Sequence, residues 1–172
     1  MSKLYFFGED HSKLKEIAKI DAKIVKLKPD YLLHELLYAD MALTKEVIEQ
    51  RLLHCKEGGL CDPRLNKDIY ELGLANNIKL VGIDLDVNGL THLPLAEQFK
   101  RRERHMVKMI EKYRLKGTVC VVVGDAHLRT ERSIELGEPS LIPQIFGHMA
   151  VIQRSESGRY SPESKQLAWL GW

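Results

Sequence analysis

Two stretches of this sequence place acid–base residues directly after a short apolar run. Thr118–Leu128, TVCVVVGDAHL, carries four valines and Cys120 into Gly124, and Asp125 and His127 follow at once. The N-terminus repeats the pattern, with Leu4–Phe7 running into Gly8-Glu9-Asp10-His11. A neutral imidazole can ligate a metal or serve as a general base near pH 7. One histidine in such a place more often caps a helix or bonds a loop, but two in matching contexts favour function. Glu9 and Asp125 each stand two residues before a histidine, where a carboxylate helps to hold a cation.

Glu35 and Arg102 join the candidates from elsewhere in the chain. Glu35 lies in LLHELL, Leu32–Leu37. Neighbouring strand residues point to opposite faces, so in a strand covered on both sides either His34 or Glu35 is buried unless the strand ends there. A glutamate at a strand terminus facing a site costs less than one buried midway. Arg102 stands out by phase. Phe99, Met106, Ile110 and Tyr113 mark an apolar helical stripe, and Arg102 falls three after Phe99 and four before Met106. Arg101 and Arg104 are turned away from that stripe. An inward arginine needs a carboxylate or an anion, and its expected partners are Glu35, Glu9 or Asp125. His11, Glu35, Arg102 and His127 are therefore the candidate catalytic set. Glu9, His11, Glu35, Asp125 and His127 are the candidate metal ligands. Asp84 and Asp86 are weaker candidates.

The elements that must position these residues alternate. Lys3–Phe7 reads as a strand, and Ser12 as the cap of a helix whose stripe is Ile17, Ile20, Ile24 and Leu27. Pro29-Asp30 leads to a second strand at Tyr31–Leu36. Met41–Asn77 is largely helical, with Thr44 and Asp62-Pro63 as caps and Gly58-Gly59 as a break. Lys79–Ile83 is a third strand. Pro94 opens a long helix to about Lys116, and Gly117 ends it before the valine strand. Met149–Gln153 reads as a final edge strand. The fold class is thus α/β: one domain over residues 1–153, a mostly parallel sheet of about five strands flanked by helices, and a helical insert between the second and third. In such a sheet all carboxyl ends share one edge, where ligands bind, so His11, Glu35, Asp84 and His127 should gather there. Residues 154–172 form a polar tail ending in QLAWLGW, whose tryptophans suggest docking on the domain or on a second copy in a homodimer.

Composition narrows the function classes. A net charge of +2 argues against nucleic acid or an anionic membrane surface as partner. No apolar run approaches transmembrane length, and the short apolar core between Lys3 and Glu9 does not make a signal peptide. Three cysteines fit reduced thiols in a cytoplasmic setting, with Cys120 as a small buried hydrophobe. His54, Cys55 and Cys61 make half a zinc site that no second pair completes. Phosphate-loop, dinucleotide and nucleophile-elbow motifs are missing.

Taken together, these motifs resemble the superfamily grouping TraB, Tiki, the haem-binding protein ChaN and the erythromycin esterases. The resemblance rests on Gly8-Glu9-Asp10-His11, Pro29-Asp30 leading to Glu35, Arg102–Met106, and Gly124-Asp125-Ala126-His127. Gly8–His11 and the run from His127 to Gly137-Glu138-Pro139 are most similar to the ChaN branch. Glu103 stands where the grouping has aspartate. The resemblance implies a common site with varied activities: metal-dependent proteolysis, ester hydrolysis or haem binding. The leading expectation is a hydrolase acting on a small molecule or peptide, in which a histidine and Glu35 activate water while Arg102 stabilises negative charge. A divalent metal (Mn²⁺, Co²⁺ or Zn²⁺) is one option there. The alternative is a non-catalytic carrier of haem, metal or another ligand. A metallophosphoesterase is disfavoured, because its Gly-Asn-His-Asp and Gly-His-x-His elements are missing.

Overall fold

The computed structural model describes residues 2–10, 13–37, 42–56, 65–85 and 87–154. His11, the Ser12 cap, Gly58-Gly59, Cys61, Asp62-Pro63, Asp86 and the tail from 155 onward lie outside the described residues, as do the side chains of His54 and Cys55. In chain order the elements are β1 (Lys3–Glu9), α1 (Leu14–Leu27), β2 (Tyr31–His34), β3 (Ala42–Leu43), α2 (Lys45–Lys56), α3 (Leu65–Asn76), β4 (Lys79–Gly82), α4 (Leu95–Tyr113), β5 (Thr118–Gly124), α5 (Leu141–Phe146) and β6 (Val151–Gln153). Two short 3₁₀ turns, Val87–Leu90 and Asp125–Leu128, follow β4 and β5.

The class read from the sequence is the class observed: a single α/β domain around a mostly parallel sheet. The strand order is β3-β4-β2-β5-β1-β6. Every pairing is parallel except that of the two-residue β3 with β4. This β3 is the sixth strand, inside a stretch expected to be helical. It is too short for its own periodicity to show, and the pairing of Ala42 with Val81 and Leu43 with Leu80 defines it. The valine strand β5 lies between β1 and β2, which makes it the axis of the sheet.

Alternation sorts each central strand onto two faces. Leu4 and Phe6 of β1 join Val119, Val121 and Val123 of β5 against Met106 and Ile110 of α4 and Phe146 of α5. Tyr5, Phe7, Cys120 and Val122 face the other way, against Ile20 and Ile24 of α1, Ile48 of α2, and Ile69 and Tyr70 of α3. The helical stripes are therefore set by the sheet faces they cover. Thr44 Oγ1 accepts the Val47 N–H, as a helix cap does. Gly117, which takes φ 108°, is needed where the chain turns from α4 into β5. A Cβ there would collide with the Asp30 carboxylate, which accepts the Thr118 N–H at 2.8 Å and ties β2's start to β5's. Among the described residues no helix is long and apolar enough to cross a membrane.

Candidate functional site

Glu35 follows the last residue of β2, yet its backbone stays in the sheet, because its N–H donates to Val122 O at 3.0 Å. Being two residues from Leu33, its side chain points to the α4 face. There Oε2 accepts the Gly124 N–H from the end of β5, and Oε1 accepts Arg102 Nη2 at 2.6 Å. The expected burial of either His34 or Glu35 turns out to be burial of both, on opposite faces at the strand's end.

Arg102 faces inward as its phase predicts, while Arg101 and Arg104 are exposed. Its strongest partner is Asp84, just past β4: Nε donates to Oδ1 at 2.9 Å and Nη2 to Oδ2 at 2.6 Å. This side-on fork is the geometry a guanidinium offers a carboxylate. Arg102 thus binds the ends of β2 and β4 to α4, and it bridges two carboxylates rather than the single one expected.

His127 sits in the turn after β5 and is 1% exposed. Its Nδ1 lies 3.1 Å from Glu103 Oε1. Its Nε2 lies 3.3 Å from Glu35 Oε1, close enough for strong attraction but without a hydrogen-bond partner among the described residues. Phe99 stacks on the imidazole at a centroid distance of 4.7 Å, and the guanidiniums of Arg102 and Arg129 lie over the same phenyl ring. Glu103 is itself fixed. Ser140 Oγ lies 2.8 Å from its Oε1, and the Leu141 N–H, the first of α5, donates to Oε2 at 3.0 Å. A carboxylate on α4 thus supplies the acceptor that the start of α5 lacks. Arg129 approaches Glu103 Oε1 at 3.7 Å and donates to the carbonyls of Ala126, Leu136 and Glu138, closing the loop over the site.

The electrostatics follow from the inventory. Glu35, Asp84 and Glu103 are balanced by Arg102, Arg129 and His127 only when His127 is protonated. Burial alone would lower the His127 pKa, but the Glu35 charge and the hydrogen bond from Glu103 push it up to about 9. Burial likewise works against ionised Glu35, yet the His127 and Arg102 charges and the Gly124 N–H hold its carboxyl well below the ordinary range. Glu103 is also held low against burial, chiefly by His127. Burial prevails at Asp84, whose carboxyl is raised despite Arg102. The His127 pKa is thus shifted above neutrality, where an ordinary neutral imidazole was expected, because Glu35 and Glu103 flank the ring on both nitrogens.

The structure brings Glu35, Arg102 and His127 together, and the remaining candidates stand apart. Glu9 is on the α1 face, with its Oε1 3.9 Å from His34 Nε2. Asp125 is engaged by Arg154, with Nη2 3.0 Å from Oδ2. His11 lies outside the described residues. The candidate metal set is thus divided. Among the described residues no three His, Cys, Asp or Glu side chains gather as a metal would require.

No family model matches the chain, and no curated protein matches it. Solved structures do. The chain is similar to RRSP, a MARTX toxin effector domain from Vibrio vulnificus CMCP6, at 13% identity and TM-score 0.57, over 99% of this chain and 40% of that one. It is also similar to two chains described as bacterial protein toxins: one at 15% identity and TM-score 0.55 over 91% of this chain and 34% of that, the other at 17% and 0.54 over 93% and 35%. The chain spans well under half the length of these neighbours, and at such identities the likeness shows the fold alone.

Asp84, Glu103, Phe99, Arg129 and Ser140 carry more of the site than sequence reasoning gave them. For Glu103 the signal was present, since it falls four after Phe99, three before Met106 and seven before Ile110. The same phase argument that singled out Arg102 applies to it. Arg129 and Ser140 lie in an irregular loop with no period to read.

Proposed function

We propose that the chain is a hydrolase of the TraB, Tiki, ChaN and erythromycin esterase type, acting on an ester or amide of a small molecule or peptide. His127 and Glu35 are the reacting groups, and Arg102, Asp84 and Glu103 position them. The observation that carries the reading is the buried His127 Nε2, without a hydrogen-bond partner among the described residues, set 3.3 Å from Glu35 on a ring backed by Glu103. A buried donor left unmet costs stability, and a catalytic role is one of the reasons a native chain keeps such a group. As water attacks the acyl carbon, its proton passes to Glu35. The acyl–heteroatom bond breaks, and the leaving atom takes the Nε2 proton of His127. Transfer of the proton from Glu35 to His127 across their contact restores the resting pair. Glu103 keeps the other ring nitrogen protonated throughout, as a carboxylate does for a catalytic histidine.

The test is a panel of esters, peptides and phosphoesters with the wild type, His127→Gln and Glu35→Gln. Turnover on an ester or peptide should fall on the order of 100-fold or more in each variant. The two losses should not add in the double variant, because members of one unit fail together. Wild-type-like turnover in the double variant refutes the assignment. A protein that turns over nothing but binds a ligand through the same residues, or shows a Soret band as purified, is a carrier instead.

A further inference from the structure

Arg154 opens the polar tail in sequence, yet its side chain is only 6% exposed. The reason lies three strands deep. In the β6–β1 register Gln153 stands beside Phe7, which brings Arg154 alongside Gly8. Asp125 comes from the far side of β1, just past β5. Between them Gly8 has no side chain, and a Cβ there would lie 2.5 Å from Asp125 Oδ1. Asp125 therefore occupies the space above Gly8, and Arg154 reaches it across the end of β1. Nε lies 3.3 Å from Oδ1, while Nη2 lies 3.0 Å from Oδ2 and 3.3 Å from the Asp125 carbonyl.

These contacts use Nε and both N–H groups of Nη2. Its Nη1 is buried with no hydrogen-bond partner among the described residues. A guanidinium has five N–H donors in a rigid fork, and a buried charged donor left unmet is costly. Asp125 fixes the orientation of that fork, so Nη1 is held in place in advance. His127, whose Nε2 also has no hydrogen-bond partner among the described residues, lies two residues beyond Asp125 in the same turn. The geometry points to Arg154 as a binding residue for an oxyanion, the carboxylate or phosphate group of a ligand that approaches the carboxyl edge of the sheet beside β1. Nη1 offers two N–H donors held in a fixed plane, which the rotating ammonium of a lysine does not reproduce. Asp125 is the positioning residue that aims it, and Gly8 is the gap that lets the two meet.

The experiment is titration of the full chain with inorganic phosphate and, separately, acetate, at constant ionic strength, followed by calorimetry and by amide chemical shifts. It reads binding and not turnover, so it stands or falls apart from the hydrolase proposal. The wild type should bind one of the two ions saturably. Arg154→Gln should weaken that binding about tenfold or more, the loss expected for a charge-assisted contact. Arg154→Lys keeps the charge and loses the fork, so it should also bind more weakly. Should Arg154→Gln not fold, the lysine variant carries the test. Arg101→Gln, an exposed control paired with Glu97, should bind like the wild type. Preference for phosphate assigns a phosphoryl ligand, and equal or stronger acetate binding assigns a carboxylate. Absence of saturable binding of either ion to the wild type overturns the inference. So does undiminished binding in both Arg154 variants, or binding that emerges only when Glu156→Gln removes an acidic side chain of the chain's own tail.

Discussion

Replacing Arg102 by methionine tests the electrostatic logic of the centre most directly. The side chain is 14% exposed and holds two carboxylates that are themselves 8% and 2% exposed, Glu35 and Asp84. Methionine keeps much of the packing and removes the charge, leaving both carboxylates buried with less compensation. Removal of one partner from a buried ion pair costs about 3–5 kcal/mol, whereas an exposed pair is worth about 1 kcal/mol or less. Arg102→Met should therefore lose several kcal/mol in urea unfolding, and Arg101→Met, whose partner Glu97 lies on the exposed helix face, should lose little. The pH dependence has a definite sign. Burial already raises Asp84, and loss of Arg102 raises it further and lifts Glu35 as well. A carboxyl with a raised folded pKa favours the folded state below its unfolded value and loses that contribution as pH rises through the folded value. The penalty of Arg102→Met should thus be larger near about pH 8 than near about pH 5. Asp84→Asn in the same background should recover part of the loss at about pH 8, since it removes the charge that was stranded. Equal penalties for Arg102→Met and Arg101→Met, or a penalty that does not change with pH, would refute the reasoning.

The other expectations are more local. His127 has its folded pKa raised from 6.5 to about 9, so its contribution is fully present below about 6.5 and is lost as pH rises through about 9. Wild-type stability should fall by an amount on the order of 3 kcal/mol over that interval, and His127→Gln should remove the slope in urea titrations. Turnover should also fall as pH rises through about 9, because the imidazolium is the acid; a fall only below about pH 6 would restore the neutral-base reading. Gly8→Ala places a methyl 2.5 Å from Asp125 Oδ1 and 2.9 Å from Leu128 Cδ1, and should cost roughly 1–3 kcal/mol in thermal or urea unfolding. Chelation with EDTA should leave turnover unchanged if the described residues are the whole centre. Loss on chelation, restored by Mn²⁺, Co²⁺ or Zn²⁺, would show that other residues bring a metal to it.

Much of the architecture was legible because two periods dominate this sequence. The apolar run of β5 and the stripe of α4 each fix an element and its buried side, and a parallel sheet then gathers the strand ends without any long-range signal. What the sequence hid was pairing. Asp84 looks like one more acid after a strand, and nothing local distinguishes it from Asp86. Its role comes from its place across β2 and β4, opposite Arg102, a relation between residues eighteen apart that only the folded sheet creates. The same holds for Ser140 and Glu103, and for Arg154 and Asp125.

Gathering at one edge is a weaker constraint than sharing a face, and that difference explains how the candidate set divided. The strand-end acids and histidines Glu9, His34, Glu35, Asp84, Asp125 and His127 do lie at the carboxyl edge. Strand parity then sends Glu9 and His34 toward α1 and Glu35 toward α4, so neighbours in sequence end in different environments. Residue spacing carries this information. Glu9 follows Tyr5 and Phe7 at a period of two, and Glu35 follows Leu33 in the same way. The assignment of those apolar residues to a face needs only one anchored helix. Arg102 supplies the anchor: once α4 is known to carry an inward arginine, any carboxylate that answers it must share parity with the strand residues packed on α4. That condition admits Glu35 and excludes Glu9. It bears on His127 as well, since the face that holds Arg102 also holds Glu35 and Glu103, the two carboxylates that push the imidazole pKa up.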